Sequence, residues 1–296
     1  MAYTAGDTIL DDEYNNFASS SSSPYGYNHF AGTGSGAYGL GQSAISTVAA
    51  GNTITAAQWN SLFTGMDNIA NHVNVTLTST AAVATGNTIA IKSALTTDLA
   101  ALAAAVAAGS PSATAFTNTA NKTADTSSSW TTTQTSTISW TAASADALRY
   151  FFNSGGKIVC DWSRVTGEAH GKNNEWSDIA SRAGPVTIKA HDLDSSGGAS
   201  HTINNDFGFH DLTSSYQTLC TTVGDTSPYT ANNISYSALV SGATITIRTI
   251  YTDGAADTAY TSATKTDDDY VGTMRMTSYA INPNTSQGLA TAYTVS

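Results

Sequence analysis

Ala50-Gly51-Asn52-Thr53-Ile54-Thr55-Ala56-Ala57-Gln58-Trp59 is the stretch on which the fold turns. Thr55-Ala56-Ala57-Gln58 has the form of a capping box, in which the threonine hydroxyl accepts the N–H three residues on and the glutamine reaches back. Ile54 before the cap and Trp59 after it hold the positions of a hydrophobic staple. Trp59, Leu62, Phe63, Met66, Ile69, Ala70 and Val73 follow at helical spacing and predict an amphipathic helix with a defined start. Gly65 weakens it slightly.

The phrase recurs. Ala5-Gly6-Asp7-Thr8-Ile9 precedes it and Gly86-Asn87-Thr88-Ile89 follows it. The first two copies continue in step, Glu13-Tyr14-Asn15-Asn16-Phe17 matching Gln58-Trp59-Asn60-Ser61-Leu62, and each copy is expected to launch a helix. In the first, Leu10 stands at the aligned cap position, so the cap shifts to Thr8 or Asp11, and the acidic first turn suits the positive end of a helix dipole. That helix ends in Ser19 to Ser23 and Pro24. Beyond the third copy Ile91, Leu95, Leu99, Leu102 and Val106 form a narrow seam on an Ala-rich helix closed by Gly109 and Pro111. Alanine flanks permit close helix packing, either onto the chain's own second helix or between copies about a symmetry axis. Trp59, Leu62, Phe63 and Met66, with Leu95, Leu99, Leu102 and Val106, are therefore the candidate oligomer and attachment interface.

Composition sets the frame for this reading. Charged residues are 11% of the chain, against about 25% in ordinary globular proteins. Leu, Ile, Val and Phe number 49 of 296, near the level associated with disorder, yet a net charge of −11 is mild for this length. Thr, Ser, Ala, Gly and Asn dominate, with 14 Tyr and 5 Trp. A thin apolar core per subunit is expected, and thin cores are commonly completed by oligomerisation. Eleven scattered basic residues give no nucleic-acid footprint. The acidic N-terminal stretch does not resemble a secretory leader, and the longest apolar run, Ala100 to Ala108, is too short to span a membrane.

Three regions follow: a helical repeat and attachment region over 1–108, a small, polar linker over 109–129, and a β-sandwich head over 130–296. The head has Thr-rich alternation after Trp130 and a capped short helix from Ser144 to Gly156. Strands are predicted at Lys157–Val165, Val186–His191, Asn205–His210, Tyr216–Val223, Ile234–Val240, Thr244–Thr252 and Tyr270–Ile281, with another helical turn from Asn174 to Ala183. The fold class is α+β, with helices first and a mainly antiparallel sandwich after them.

Chemistry is sparse. Gly34, Gly36 and Gly39 spell GxGxxG, but no strand leads in and no βαβ pattern follows, so a surface loop is the reading. There is no GxSxG elbow, and Cys160 and Cys220 read as buried free thiols, with a single disulfide between them the alternative. His191, His201 and His210 fall near one another in sequence, which is too little to define a metal site. Asp192-Leu193-Asp194-Ser195-Ser196-Gly197 imitates the start of a calcium loop, yet Ile203 stands where its bidentate Glu belongs. Asp267-Asp268-Asp269 reads as a solvated turn, because glycosidase carboxylates face one another across a cleft. Trp162, Trp176, Tyr216, Tyr229, Tyr236, Tyr251 and Tyr260 are candidates for sugar stacking or for core. No catalytic residue, cofactor or metal site is assigned.

The segment Ala5 to Asn15, Tyr38-Gly39-Leu40-Gly41-Gln42, Ala50 to Ile54 with Gln58-Trp59-Asn60, Ala147 to Ile158 and Gly208 to Gln217 resemble virion structural proteins of tailed bacteriophages, especially those of marine bacteria and cyanobacteria. The resemblance implies a non-enzymatic baseplate or tail-fibre component in the virion, assembled in the host cytoplasm as a homo-oligomer, with trimer the usual symmetry of fibres. It implies other virion proteins as partners and contact with host-surface glycan, without nucleic acid or membrane insertion. A capsid decoration or cement protein, a glycan-binding adhesin and a glycan depolymerase are the other readings.

Overall fold

The computed structural model describes residues 10–33, 39–86, 92–109, 116–127, 129–167, 169, 171–255 and 270–296. The helices are α1 (Asp11–Ser19), α2 (Tyr27–Phe30), α3 (Ala56–Val73), α4 (Lys92–Ala107), α5 (Ala145–Asn153) and α6 (Gly171–Ala183). The strands are β1 (Phe116–Asn118), β2 (Lys122–Asp125), β3 (Ser129–Trp130), β4 (Thr133–Thr141), β5 (Lys157–Arg164), β6 (Val186–Ile188), β7 (Leu193–Ser195) and β8 (His201–Ile203), followed by β9 (Gln217–Val223), β10 (Asn233–Ser241), β11 (Thr244–Thr252), β12 (Tyr270–Val271) and β13 (Met274–Pro283).

The start of α3 is the one its sequence specifies. The Thr55 hydroxyl accepts the Gln58 N–H at 3.3 Å, and the Thr55 N–H donates to Gln58 Oε1 at 2.8 Å. Ile54 packs against the buried cluster that contains Trp59. Thr55→Ala should destabilise the helical unit by about 1 kcal/mol, measured by urea denaturation followed by helical circular dichroism. Gly65 has a use its helix propensity does not reveal: a Cβ there would meet the Tyr27 ring at 3.0 Å. The first repeat differs from expectation, since its cap residue is Leu10, with no side-chain cap bond. Asp11, Asp12 and Glu13 in the first turn leave the helix start to be stabilised through the dipole. Ala5 to Ile9 and Asn87 to Ile89 lie outside the described residues, as do Gly34, Gly36, Tyr260 and Asp267 to Asp269.

The chain forms two compact units, and their borders differ from the predicted ones. The first comprises Met1–Thr117, Arg149–Gly156 and Asn282–Thr294, and the second Asn118–Leu148, Lys157–Ile281 and Val295–Ser296. Two segments predicted to belong to the head thus complete the helical unit. Asn153 Nδ2 donates to Gly39 O at 2.8 Å, and His72 Nε2 meets Ser154 O at 3.2 Å. Gln42 accepts from the Ala290 and Thr291 N–H groups and donates to Thr291 O, while Tyr293 Oη donates to Gly41 O at 2.7 Å. Gly288, at φ 89°, lies so close to Asn68 O that a Cβ would collide with it. These partners are some 80 to 250 residues apart, a range over which no sequence period operates.

The second unit is an antiparallel sandwich. One sheet has the order β1-β13-β5-β6-β7, with β2 also along β13; the other has β4-β11-β10-β9-β8, and β12 pairs with β3. Alternation places the even-numbered side chains of β11 outward and Ile245, Ile247, Thr249 and Tyr251 inward. Polar groups join the two sheets through the core: Trp140 Nε1 donates to Ser278 Oγ at 3.0 Å, and Trp162 Nε1 donates to Thr249 Oγ1 at 2.9 Å. The Trp162 ring meets Tyr236 edge-on at 5.2 Å. Strands β1 and β2 occupy part of the predicted linker, because their partner β13 lies far down the chain. Asn205–His210, predicted as a strand, instead holds a 3-10 turn over Phe209–Asp211, closed by the Gly208 N–H donating to the Asp211 carboxylate at 2.8 Å. The strand of that region is β8, paired with β9.

Candidate functional sites

In the helical unit the repeated phrase proves to be a chain-docking device. Asn15 on α1 binds the backbone of Val48 twice, Nδ2 donating to its O at 2.8 Å and Oδ1 accepting its N–H at 2.7 Å. Asn60, at the matching position of α3, does the same to Val83, at 3.0 and 2.9 Å. Val48 and Val83 stand at the same place just ahead of Gly51 and Gly86. Each helix therefore holds the extended approach to the next repeat. Leu95 occupies the corresponding place after the third copy, where the series stops. Asn28 on α2 makes a further pair of bonds to Ile45, at 2.8 and 2.7 Å. An amide is suited to this, since one side chain satisfies both backbone groups of an extended residue. The signal was present in the aligned asparagines of the two repeats. Asn60→Ala should cost about 1–2 kcal/mol and speed hydrogen exchange at Val83.

A groove of about 550 Å³ in the same unit is lined by Tyr27, Gln42, Asn60, Ser61, Thr64 and Asn68, among others. Its lining offers neutral hydrogen-bonding groups and no acid–base pair.

The predicted interface residues are elsewhere engaged. Trp59, Leu62, Phe63, Met66, Leu95, Leu99, Leu102 and Val106 are all buried in the unit's own core, with Tyr14, Phe17, Tyr27, Phe30 and Leu289. Trp59 meets Tyr14 edge-on at 5.2 Å and lies 5.7 Å from Phe63. The narrow seam of α4 packs on helices of its own chain.

In the sandwich unit the suspected chemical groups are occupied in holding the chain. His201 sits between Ser195 Oγ at 3.0 Å and Thr222 Oγ1 at 2.8 Å, so both ring nitrogens are engaged. His191 and His210 stack on each other at 5.0 Å, and the three do not converge on one point. Asp192 and Asp194, the first acids of the calcium-like stretch, bind Lys189 Nζ at 2.9 and 3.0 Å, and Leu193–Ser195 is strand β7. Glu175, Asp178 and Asp225 form a carboxylate cluster. Arg182 lies among them at 3.5, 2.6 and 3.4 Å, and Glu175 also accepts the Asp225 N–H at 2.9 Å. That guanidinium already supplies the positive charge a cation would bring.

The aromatic residues proposed for sugar stacking are mostly interior. Trp162, Trp176, Tyr229, Tyr236 and Tyr251 are buried, and half-buried Tyr216 lies under the Arg248 guanidinium at 3.8 Å. Strand alternation turns Trp162, Tyr236 and Tyr251 inward, and the face of α6 buries Trp176. What the sequence did not reveal is a buried ion pair, Lys172 Nζ to Asp253 Oδ2 at 2.8 Å, with both side chains fully enclosed.

Cys160 and Cys220 are free and buried. Burial pushes the thiols up to about 11 and about 12 from an ordinary 9.0. The folded state holds those protons more tightly than the unfolded chain, so the sandwich should lose stability as pH rises from about 9 through 11. His72 in the helical unit has the opposite sign. Burial lowers it from 6.5, so its contribution is present above that value and lost as pH falls below it. Denaturation series across both ranges, with one probe for each unit, check the two slopes.

Comparison of the chain with protein-family models, curated proteins and solved structures finds no match.

Proposed function

We propose that this protein is a non-enzymatic structural component of a tailed-phage virion, placed at the tail baseplate or in a tail fibre. The observation that carries the proposal is the employment of its polar side chains. Asn15, Asn28, Asn60 and Gln42 hold backbone segments, Arg182 ties three carboxylates, and His201 bridges two hydroxyls. An enzyme keeps such groups convergent on a vacant space, whereas here they fasten the chain to itself. The sequence patches resembling virion proteins supply the context. Assembly with other virion proteins, and with further copies of the chain, is part of the proposal, on surfaces other than the eight buried residues above. Labelled antibody on intact particles, viewed by negative-stain microscopy, tests the placement. Label at the tail supports it; label scattered over the capsid makes the protein a decoration or cement protein, and unlabelled particles from an infected lysate that contains the protein overturn the virion role.

A further inference from the structure

We propose that Lys172 and Asp253 join in an intramolecular isopeptide bond, formed by the folded chain without cofactor or enzyme. The observation is the buried pair itself. Nζ stands 2.8 Å from Oδ2, and both side chains are completely removed from solvent. That contact sets the nitrogen beside the carboxyl group it would attack.

The residues flanking both partners are closely packed. Trp176 is one turn beyond Lys172 on α6, and Tyr251 is two residues before Asp253 on the same side of β11. Thr132, two residues after Trp130, accepts the Asp253 N–H at 2.7 Å. Trp130, Trp176 and Tyr251 are mutually packed, with ring centres 4.8 to 6.4 Å apart, and all three are buried. Tyr229 abuts Gly171, immediately before the lysine.

Both reactants are held still. The Asp253 N–H is bound to Thr132 O, and the next two N–H groups, of Gly254 and Ala255, both donate to Asn232 Oδ1 at 2.9 Å. Asn232 is itself buried. Lys172 is fixed by its helix. This is the preorganisation that turns an otherwise slow condensation into an intramolecular one.

The step balances without any added reagent. A proton passes from the ammonium to the carboxylate, leaving an amine beside a carboxylic acid. The Nζ lone pair attacks Cγ, the C–N bond forms, and the C–O bond to the hydroxyl breaks. The hydroxyl leaves with a proton from Nζ as one water molecule, and no atom changes oxidation state. The product is a neutral amide, which removes both buried charges and ties the start of α6 to the end of β11 across 81 residues.

The test is the intact mass of the full-length protein, purified folded and then denatured. The expected mass is one water below the sequence mass, and proteolysis yields a branched peptide linking residues 172 and 253. Lys172→Arg, which keeps a cation but has no amine to acylate, should return to its full sequence mass. A native chain at full sequence mass would overturn the proposal, as would a water deficit that persists in Lys172→Arg. The result does not depend on the virion reading, so either can fail while the other stands.

Discussion

Lys172→Ala is expected to remove about 3–5 kcal/mol from the stability of the sandwich unit. The magnitude follows from the enclosure of the pair. In the native chain Lys172 and Asp253 are both at zero side-chain exposure, so whether they meet as an ion pair or are joined as an amide, removing the lysine leaves a carboxylate with its partner gone and no water to replace it. An exposed pair of the same length contributes about 0–1 kcal/mol, because solvent takes over when either partner is lost. The two regimes differ by more than the error of a denaturation curve. Urea unfolding followed by tryptophan fluorescence is well placed to measure it, since Trp130, Trp140, Trp162 and Trp176 all belong to this unit. A loss under about 1 kcal/mol would mean that water reaches the site.

Trp59→Ala should produce the other large effect, about 3–5 kcal/mol in the helical unit. The indole is 2% exposed and contacts Tyr14, Phe17 and Phe63. Its removal takes away the largest side chain at the meeting of the first two repeats, along with edge-on ring packing that simple area does not include. The same residue was a candidate for contact between copies, and the two roles predict different results. A core residue lowers the unfolding midpoint independently of protein concentration. An interface residue leaves the subunit's stability intact and alters association. Helical circular dichroism in urea at several protein concentrations separates them, and the buried position of Trp59 predicts the first.

Local signals in this sequence were legible to the residue. Thr55 and Gln58 make the two reciprocal bonds that their spacing implies, and the seam from Leu95 to Val106 is buried along its length. Strands β9, β10, β11 and β13 lie where alternation put them. The errors share a cause. Residues 149–156 and 282–294 join the helical unit through Asn153, Gln42 and Tyr293, whose partners are remote in sequence. Short edge strands β1 and β2 carry too few residues for a period and depend on β13 for their existence.

The expectation of a thin core was also drawn from the wrong residues. Leu, Ile, Val and Phe are scarce, but Trp140, Trp176, Tyr14, Tyr236 and Tyr251 are fully buried. These large rings fill the volume that aliphatic side chains would otherwise occupy. Their polar edges can be accommodated because Thr, Ser and sulfur partners share the interior, as Trp140 with Ser278, Trp162 with Thr249, and Thr249 with Met276 show. Thr-rich alternation, which on its face looks like a solvent-exposed sheet, is here part of a hydrogen-bonded core. The same substitution of roles explains the vanished sugar platform: Trp162, Trp176, Tyr229, Tyr236 and Tyr251 belong to the interior.

Of the candidate site, the repeat asparagines were visible as an alignment and could not be interpreted without their partners. Asn15 and Asn60 are equivalent in the repeats, and each grips a valine whose own position repeats. Lys172 and Asp253 gave no signal, since one lies in the first turn of a polar helix and the other follows a strand. Only the fold brings them together.

The central claim is that this chain is a fixed part of a phage particle. It is tested most directly by quantifying the chain in gradient-purified particles after a high-salt wash, against a known virion protein. The account predicts a constant copy number per particle across preparations. Loss of the chain with washing, or its absence from purified particles while it is abundant in the lysate, would contradict it.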